Sequence, residues 1–151
     1  MRTASLLLTL CLAGCAATAP ERTAPRTADP EEPAIRAAIE HYFQGHATGQ
    51  GEHFAQVFHP DSKLFWVRDG QLQQRTSADY IAGAPGRAAD DEAQRRRRIV
   101  SLDRTGDVAV VHVELDYPSA LITDYMSMAK VDGRWLIVNK TYVVQPRSGA
   151  N

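Results

Sequence analysis

Apolar positions recur with a helical period early in the chain and with a strand period later. Ile35, Ala38, Ile39, Tyr42, Phe43 and His46 fall on one helical face, behind the acidic, proline-marked start Glu31-Glu32-Pro33. This predicts a helix over 33–47, ended near Gly45 and Gly49. A shorter helix is predicted over 50–58, carrying Phe54, Val57 and Phe58, with His59-Pro60-Asp61 as its stop. Residues 63–67 alternate like a strand, Asp69-Gly70 signals a hairpin turn, and 72–75 return. A third helix is expected over 77–82 with Ser77 as N-cap, followed by a Gly-, Pro- and Asp-containing loop over 83–94. The second half reads as four strands, 95–103, 108–117, 123–131 and 134–144. Their turns are Arg104-Thr105-Gly106-Asp107 and Asp132-Gly133, with Pro118 ending the second. Helices gathered on one side of an antiparallel sheet define an α+β layer architecture.

Alternation assigns the faces. On 108–117 the apolar set Ala109, Val111, Val113, Leu115 and Tyr117 should face the helices, leaving Val108, Val110, His112, Glu114 and Asp116 outside. A two-residue turn at Thr105-Gly106 would set Arg97 opposite Glu114 and Arg95 opposite Asp116 on that outer face. Arg96 and Arg98 would then lie inside with Val100 and Leu102, as rim residues or ligand contacts. In the last hairpin, Met126, Met128, Trp135 and Ile137 share a face with Asp124, Asn139 and Thr141. The opposite face takes Tyr125, Ser127, Ala129, Leu136, Val138, Lys140 and Tyr142. An apolar floor that turns polar at one end suits a pocket mouth.

The amino terminus is a separate segment. Arg2 precedes a short apolar run, Leu6 to Leu12, of the length of a secretory signal rather than a membrane span. It ends in Leu12-Ala13-Gly14-Cys15, which resembles the lipobox of bacterial lipoproteins at all four positions. The resemblance implies cleavage before Cys15 and acylation of that cysteine. It implies an exported protein anchored to the membrane by lipid, with Ala16 rather than Asp after the cysteine favouring the outer membrane, facing the periplasm. Residues 1–14 are thus a signal peptide, 15–32 a tether rich in Ala, Thr, Pro, Arg and Glu, 33–145 one domain and 146–151 a tail. The two cysteines are Cys11 and Cys15, so the domain carries neither a disulfide nor a thiol nucleophile. With 17 basic and 18 acidic residues the chain has no charge excess to draw nucleic acid.

The order of elements resembles the nuclear transport factor 2-like superfamily, the cystatin-like cone that also includes SnoaL-like proteins. Within it the sequence is similar to the group described as putative lumazine-binding. The likeness rests on Ile39-Glu40-His41-Tyr42-Phe43, on 58–64, on 106–111, on Asp124-Tyr125-Met126 and on 131–140. It implies a cone in which N-terminal helices pack on a curved antiparallel sheet around a pocket, and a fold that hosts binding proteins and enzymes alike. Tyr42, Phe58, Trp66, Met126, Trp135, Asn139 and Arg98 are the expected pocket residues. The preferred reading is a non-catalytic domain binding a small apolar or aromatic ligand or a partner.

An alternative is an isomerase, dehydratase or cyclase using Asp124 or Asp61 with Tyr42, His41 or His59, since a carboxylic acid among apolar side chains suits general acid–base work. A further alternative is a homodimeric interaction subunit. Each candidate has a plainer structural role as well: Asp61 as a turn residue, Tyr42 as core, Asp124 as a solvated strand end. The five histidines show neither HxH nor HxxxH spacing, so no metal and no cofactor is expected.

Overall fold

The computed structural model describes residues 29–147. The expected signal peptide, Cys15 and most of the expected tether lie outside the described residues, as do residues 148–151 of the expected tail. Helices α1 (Glu32–Thr48) and α2 (Gly51–Val57) are followed by strands β1 (Phe58–Arg68) and β2 (Gln71–Thr76). Helix α3 (Ser77–Ala82) and a short 3-10 turn, Glu92–Gln94, lead into β3 (Arg96–Thr105) and β4 (Val108–Tyr117). The chain ends in β5 (Ala120–Val131) and β6 (Arg134–Pro146). The six strands form one sheet in the order β2-β1-β6-β5-β4-β3. It is the expected α+β class, helices packed on a curved sheet. The sheet is mixed rather than purely antiparallel, because β1 runs parallel to β6. Both Asp-Gly pairs form the expected turns, with positive φ at Asp69, Gly70, Asp132 and Gly133. No helix among the described residues is long and apolar enough to cross a membrane.

The core lies between the helices and one face of the sheet. Ile35, Ile39 and Tyr42 of α1 are fully buried against Val111, Val113 and Leu115 of β4, Met126 of β5, Ile137 of β6 and Leu64 of β1. The predicted inner face of β4 is buried throughout, while Val108 and Val110 on its other side are 58% and 54% exposed.

Three local readings are corrected. His59-Pro60-Asp61 does not merely stop α2: it opens β1, whose pairing with β6 is interrupted between Phe58 and Lys63. Helix α3 is capped by Thr76, whose hydroxyl accepts from the Asp79 amide at 3.1 Å. Ser77 is instead buried, its hydroxyl donating to the carbonyls of His59 and Pro60. The domain also begins before Pro33. Arg104 donates to Asp29 at 2.5 Å, and Glu31 accepts from Lys130 at 2.9 Å and from the Trp135 indole at 2.9 Å.

Two β-bulges invert the side-chain order expected from simple alternation. One falls between Ile99 and Ser101, and the adjoining turn is Gly106-Asp107 rather than Thr105-Gly106, since Thr105 pairs with Val108; together they set Arg98 rather than Arg97 opposite Glu114, and Arg96 rather than Arg95 opposite Asp116. The other falls in β6 opposite Ser127 and Met128, with Val138 as the extra residue. Beyond it Lys140 stands opposite Met126 and Tyr142 opposite Asp124. Directly paired residues share a face, so Lys140 and Tyr142 turn inward while Asn139 and Thr141 turn outward.

Candidate functional site

The second bulge carries a lysine into the core and sets it beside an acid. Asp124 is fully buried and Lys140 is 3% exposed. The Lys140 ammonium lies 3.0 Å from Asp124 Oδ1 as an ion pair and donates to the Tyr42 hydroxyl at 2.8 Å. Tyr42 donates in turn to Asp124 Oδ2 at 2.7 Å. The Lys140 contact is not aligned as a hydrogen bond to Oδ1, which leaves that oxygen without a hydrogen-bond donor among the described residues. Rings enclose the group: the Lys140 nitrogen is 5.0, 5.2 and 4.7 Å from the ring centres of Tyr42, Tyr80 and Tyr142. Each contact lies within the cation–π range. Burial drives the Lys140 pKa below the ordinary lysine value, while Asp124 pulls it the other way and Arg75 reinforces the decrease. Burial likewise raises Tyr42, aided by the Asp124 charge, so this phenol stays protonated at all ordinary pH.

From this group a polar path leads toward solvent. The hydroxyl of Tyr80, on α3, interacts with that of Tyr42 and shares a 3.0 Å hydrogen bond with His46 Nε2. His46 lines a cavity of about 260 Å³ together with Pro85, Arg87, Ala88, Ala89 and Arg95. Two features shape this mouth. Gly49 ends α1 with φ of 71°, and a side chain there would meet the Arg87 carbonyl at 2.0 Å, so only glycine lets the 83–95 loop sit on the helix end. Arg95 and Arg97 stack on Tyr117, and Arg97 also binds Glu92 through two hydrogen bonds of 2.6 and 2.8 Å. On the other side of Tyr80, the Arg75 guanidinium lies 4.5 Å from its ring centre, with Nε buried and unpartnered among the described residues.

Burial first, then the charges of Lys140, Arg97 and Arg95, hold the His46 pKa well below the usual 6.5. The unfolded chain therefore binds a proton near pH 6.5 that the folded protein does not accept until lower pH. Stability contributed by neutral His46 is complete above about 6.5 and falls as the pH drops below it. The melting temperature should decline between pH 6.5 and 5, and the decline should flatten in His46→Gln. Glu31 and Glu92, whose pKa values are lowered by their basic partners, act only below about 4.5. Equal slopes in the two proteins would remove His46 as the cause.

The structure separates the sequence-predicted residues. Tyr42 and Asp124 meet, with Phe58 and Met126 in the core around them. Phe58 packs on the Tyr42 ring at 6.1 Å, and Trp66 packs on Tyr142 at 5.6 Å. The other candidates stand elsewhere. Asp61 is 94% exposed beside His59. His41 stacks on His53, and it lines a separate groove with Trp135, at the opposite end of β6 from Tyr142. Arg98 binds Glu114 on the outer face, and Asn139 is carried outward opposite Ser127 by the bulge. Lys140, Tyr80 and His46 were not among the expected site residues. His46 sits at position i+4 from Tyr42 on the predicted apolar face, and this was a legible signal. For Lys140 the only signal was a lysine on a strand face otherwise rich in apolar residues. No group of three or more His, Cys, Asp or Glu residues able to hold a metal occurs among the described residues.

Comparisons with known proteins agree with this architecture. An aldolase, FrzH of Cladobotryum sp, is 23% identical over 117 residues, covering 78% of this chain and 94% of that protein. Among solved structures, an NTF2-like protein of unknown function from Shewanella baltica OS155 superposes with a TM-score of 0.70. It is 21% identical, with 78% of this chain and 95% of that one covered. Another from Silicibacter pomeroyi DSS-3 gives a TM-score of 0.65 at 26% identity, covering 75% of this chain and 94% of that one. The sequence pattern of the family described as "Putative lumazine-binding" matches residues 30–143, and the chain belongs to that family.

Proposed function

We propose that this chain binds a small carbonyl compound in its cone and moves a proton at the carbon next to that carbonyl. The observation that carries the reading is the fully buried Asp124, hydrogen-bonded by Tyr42 and paired with Lys140. A buried ion pair is weak evidence for stability, because desolvating two charges offsets much of their attraction. Its value is greater as chemistry: a carboxylate with a free lone pair accepts a carbon-bound proton, and Tyr42 O–H or Lys140 N–H stabilises the enolate oxygen that results. The geometry thus favours the acid–base alternative over the non-catalytic domain preferred from sequence. Two comparisons support it. The family's description names a small-molecule ligand, and the relative from Cladobotryum is named an aldolase.

Incubating the protein in D₂O with a panel of cyclic and acyclic ketones tests the reading. We expect protein-dependent deuterium uptake at the α-carbon of at least one ketone, reduced on the order of 10²-fold or more in folded Asp124→Asn. Uptake no faster than in buffer across the panel would refute it.

The membrane anchor is part of the proposal and rests on the Leu12-Ala13-Gly14-Cys15 segment. Cys15→Ser should move the protein from the membrane to the soluble fraction of its host; a variant still floating with membranes would exclude acylation there. The dimeric reading draws support from the exposed outer face, where Val67, Val110, Tyr125 and Val143 are 50–68% exposed. Sedimentation as a monomer at high concentration would remove it.

A further inference from the structure

Three of the 17 basic residues are lysines. Lys63 is exposed, Lys130 is held by Glu31 near the start of α1, and Lys140 is enclosed in the core. At this last position an arginine would have paired with Asp124 more completely, through a planar fork that never gives up its charge. A lysine there is the basic residue that can become a neutral amine. Its partners are placed to make it one. Asp124 Oδ1, at 3.0 Å, can take the ammonium proton, and the Tyr42 hydroxyl, at 2.8 Å, can donate a hydrogen bond to a neighbouring oxygen. The rings of Tyr80 and Tyr142 flank the nitrogen, with centres 5.2 and 4.7 Å away.

We infer that Lys140 captures an aldehyde or ketone as an imine. The inference rests on the carbonyl-binding reading above and adds a covalent step to it. Lys140 passes a proton to Asp124, and the nitrogen lone pair attacks the carbonyl carbon. The C–O π pair moves to oxygen, which takes the nitrogen's surplus proton while the Tyr42 hydroxyl donates a hydrogen bond to it. The hydroxyl so formed leaves as water with the proton held by Asp124, and the carbon–nitrogen double bond closes. The net change is carbonyl plus ammonium to iminium plus water, with no oxidant or reductant. Desolvation of the amine, the usual way a lysine is made nucleophilic in a protein, works in the same direction.

The full-length protein is treated with butanal and sodium cyanoborohydride at pH 7, and the lysine-containing peptides are compared by mass spectrometry. Hydride reduction of the iminium leaves a stable butyl group on nitrogen. We expect Lys140 to be labelled at least ten-fold faster than Lys63 or Lys130 in the native protein, and this preference to vanish in urea. Labelling of Lys63 with Lys140 unmodified would overturn the inference. Because the wild-type protein is used, no variant needs to fold. The two readings fail separately: deuterium uptake without a Lys140 adduct leaves acid–base chemistry at Asp124 and removes the imine, whereas absence of both removes the carbonyl reading as well.

Discussion

Asp124→Ala should destabilise the domain by about 3–5 kcal/mol, the range found when one member of a buried ion pair is removed. The reason is the 3% exposure of Lys140. Without Asp124 its ammonium keeps the hydrogen bond to Tyr42 but loses its counter-charge, and must stay charged in an apolar enclosure or lose its proton. Tyr42 loses its acceptor in the same change. Lys140→Met should fall in the same range, since it strands the carboxylate. The triple variant Tyr42→Phe, Asp124→Leu, Lys140→Met removes all three polar groups together. It should return to within about 2 kcal/mol of the wild type or exceed it, as replacements of buried charged groups by apolar ones do elsewhere. Urea denaturation of the four proteins measures this directly. A loss below about 1 kcal/mol for Asp124→Ala would mean that the charges are solvated and the site is not the closed one described. Recovery in the triple variant would indicate that the polar trio is retained for something other than stability.

Phe54→Ala should cost a comparable ~3–5 kcal/mol, the usual figure for deleting a buried phenyl ring. Phe54 is 4% exposed and joins four rings of the site's floor, with centres 5.8 Å from Tyr42, 5.1 Å from His46, 6.5 Å from Phe58 and 4.9 Å from Tyr80. Its position depends on Gly45: a Cβ there would stand 2.4 Å from Phe54 Cε1, so the ring lies directly over the bare backbone of α1. This contact brings α2 against α1, and it predicts coupling. Gly45→Ala alone should destabilise by about 1–3 kcal/mol through overpacking, despite the better helix propensity of alanine. In the Phe54→Ala background the same change should be neutral or stabilising, because the obstructing ring is gone. Additive effects in the double-mutant cycle would contradict the packing described.

The same two regions show what could be read from the sequence. The apolar stripe of α1, the alternation of β4 and the Asp-Gly turns report backbone periodicity directly, and the observed elements follow them within a few residues. The faces of β3 and β6 could not be read that way, because a bulge shifts every later residue by one and no residue type marks it. In β3 the bulge, together with a turn at Gly106-Asp107 rather than Thr105-Gly106, exchanged Arg97 and Arg98 between the inner and outer faces. In β6 it exchanged Asn139 and Lys140, turning a neutral amide out and a basic amine in. The candidate site was therefore half visible. Tyr42 and Asp124 could be nominated from helical spacing and strand position, but their third partner could not. Asp61 and His41 failed for a different reason: residue type suited them to chemistry, and only tertiary packing places them outside the interior.

In the proposed reading the cone holds a small molecule beside Tyr42, Asp124 and Lys140. Native mass spectrometry of the protein purified from its own host, beside the triple variant purified in the same way, tests it most directly. One bound small molecule per chain is expected in the wild type, lost on replacing the three polar residues, with both proteins folded. A wild type that carries no ligand and gains none from the host's metabolite extract would rule out this site, as would a triple variant that retains the same ligand.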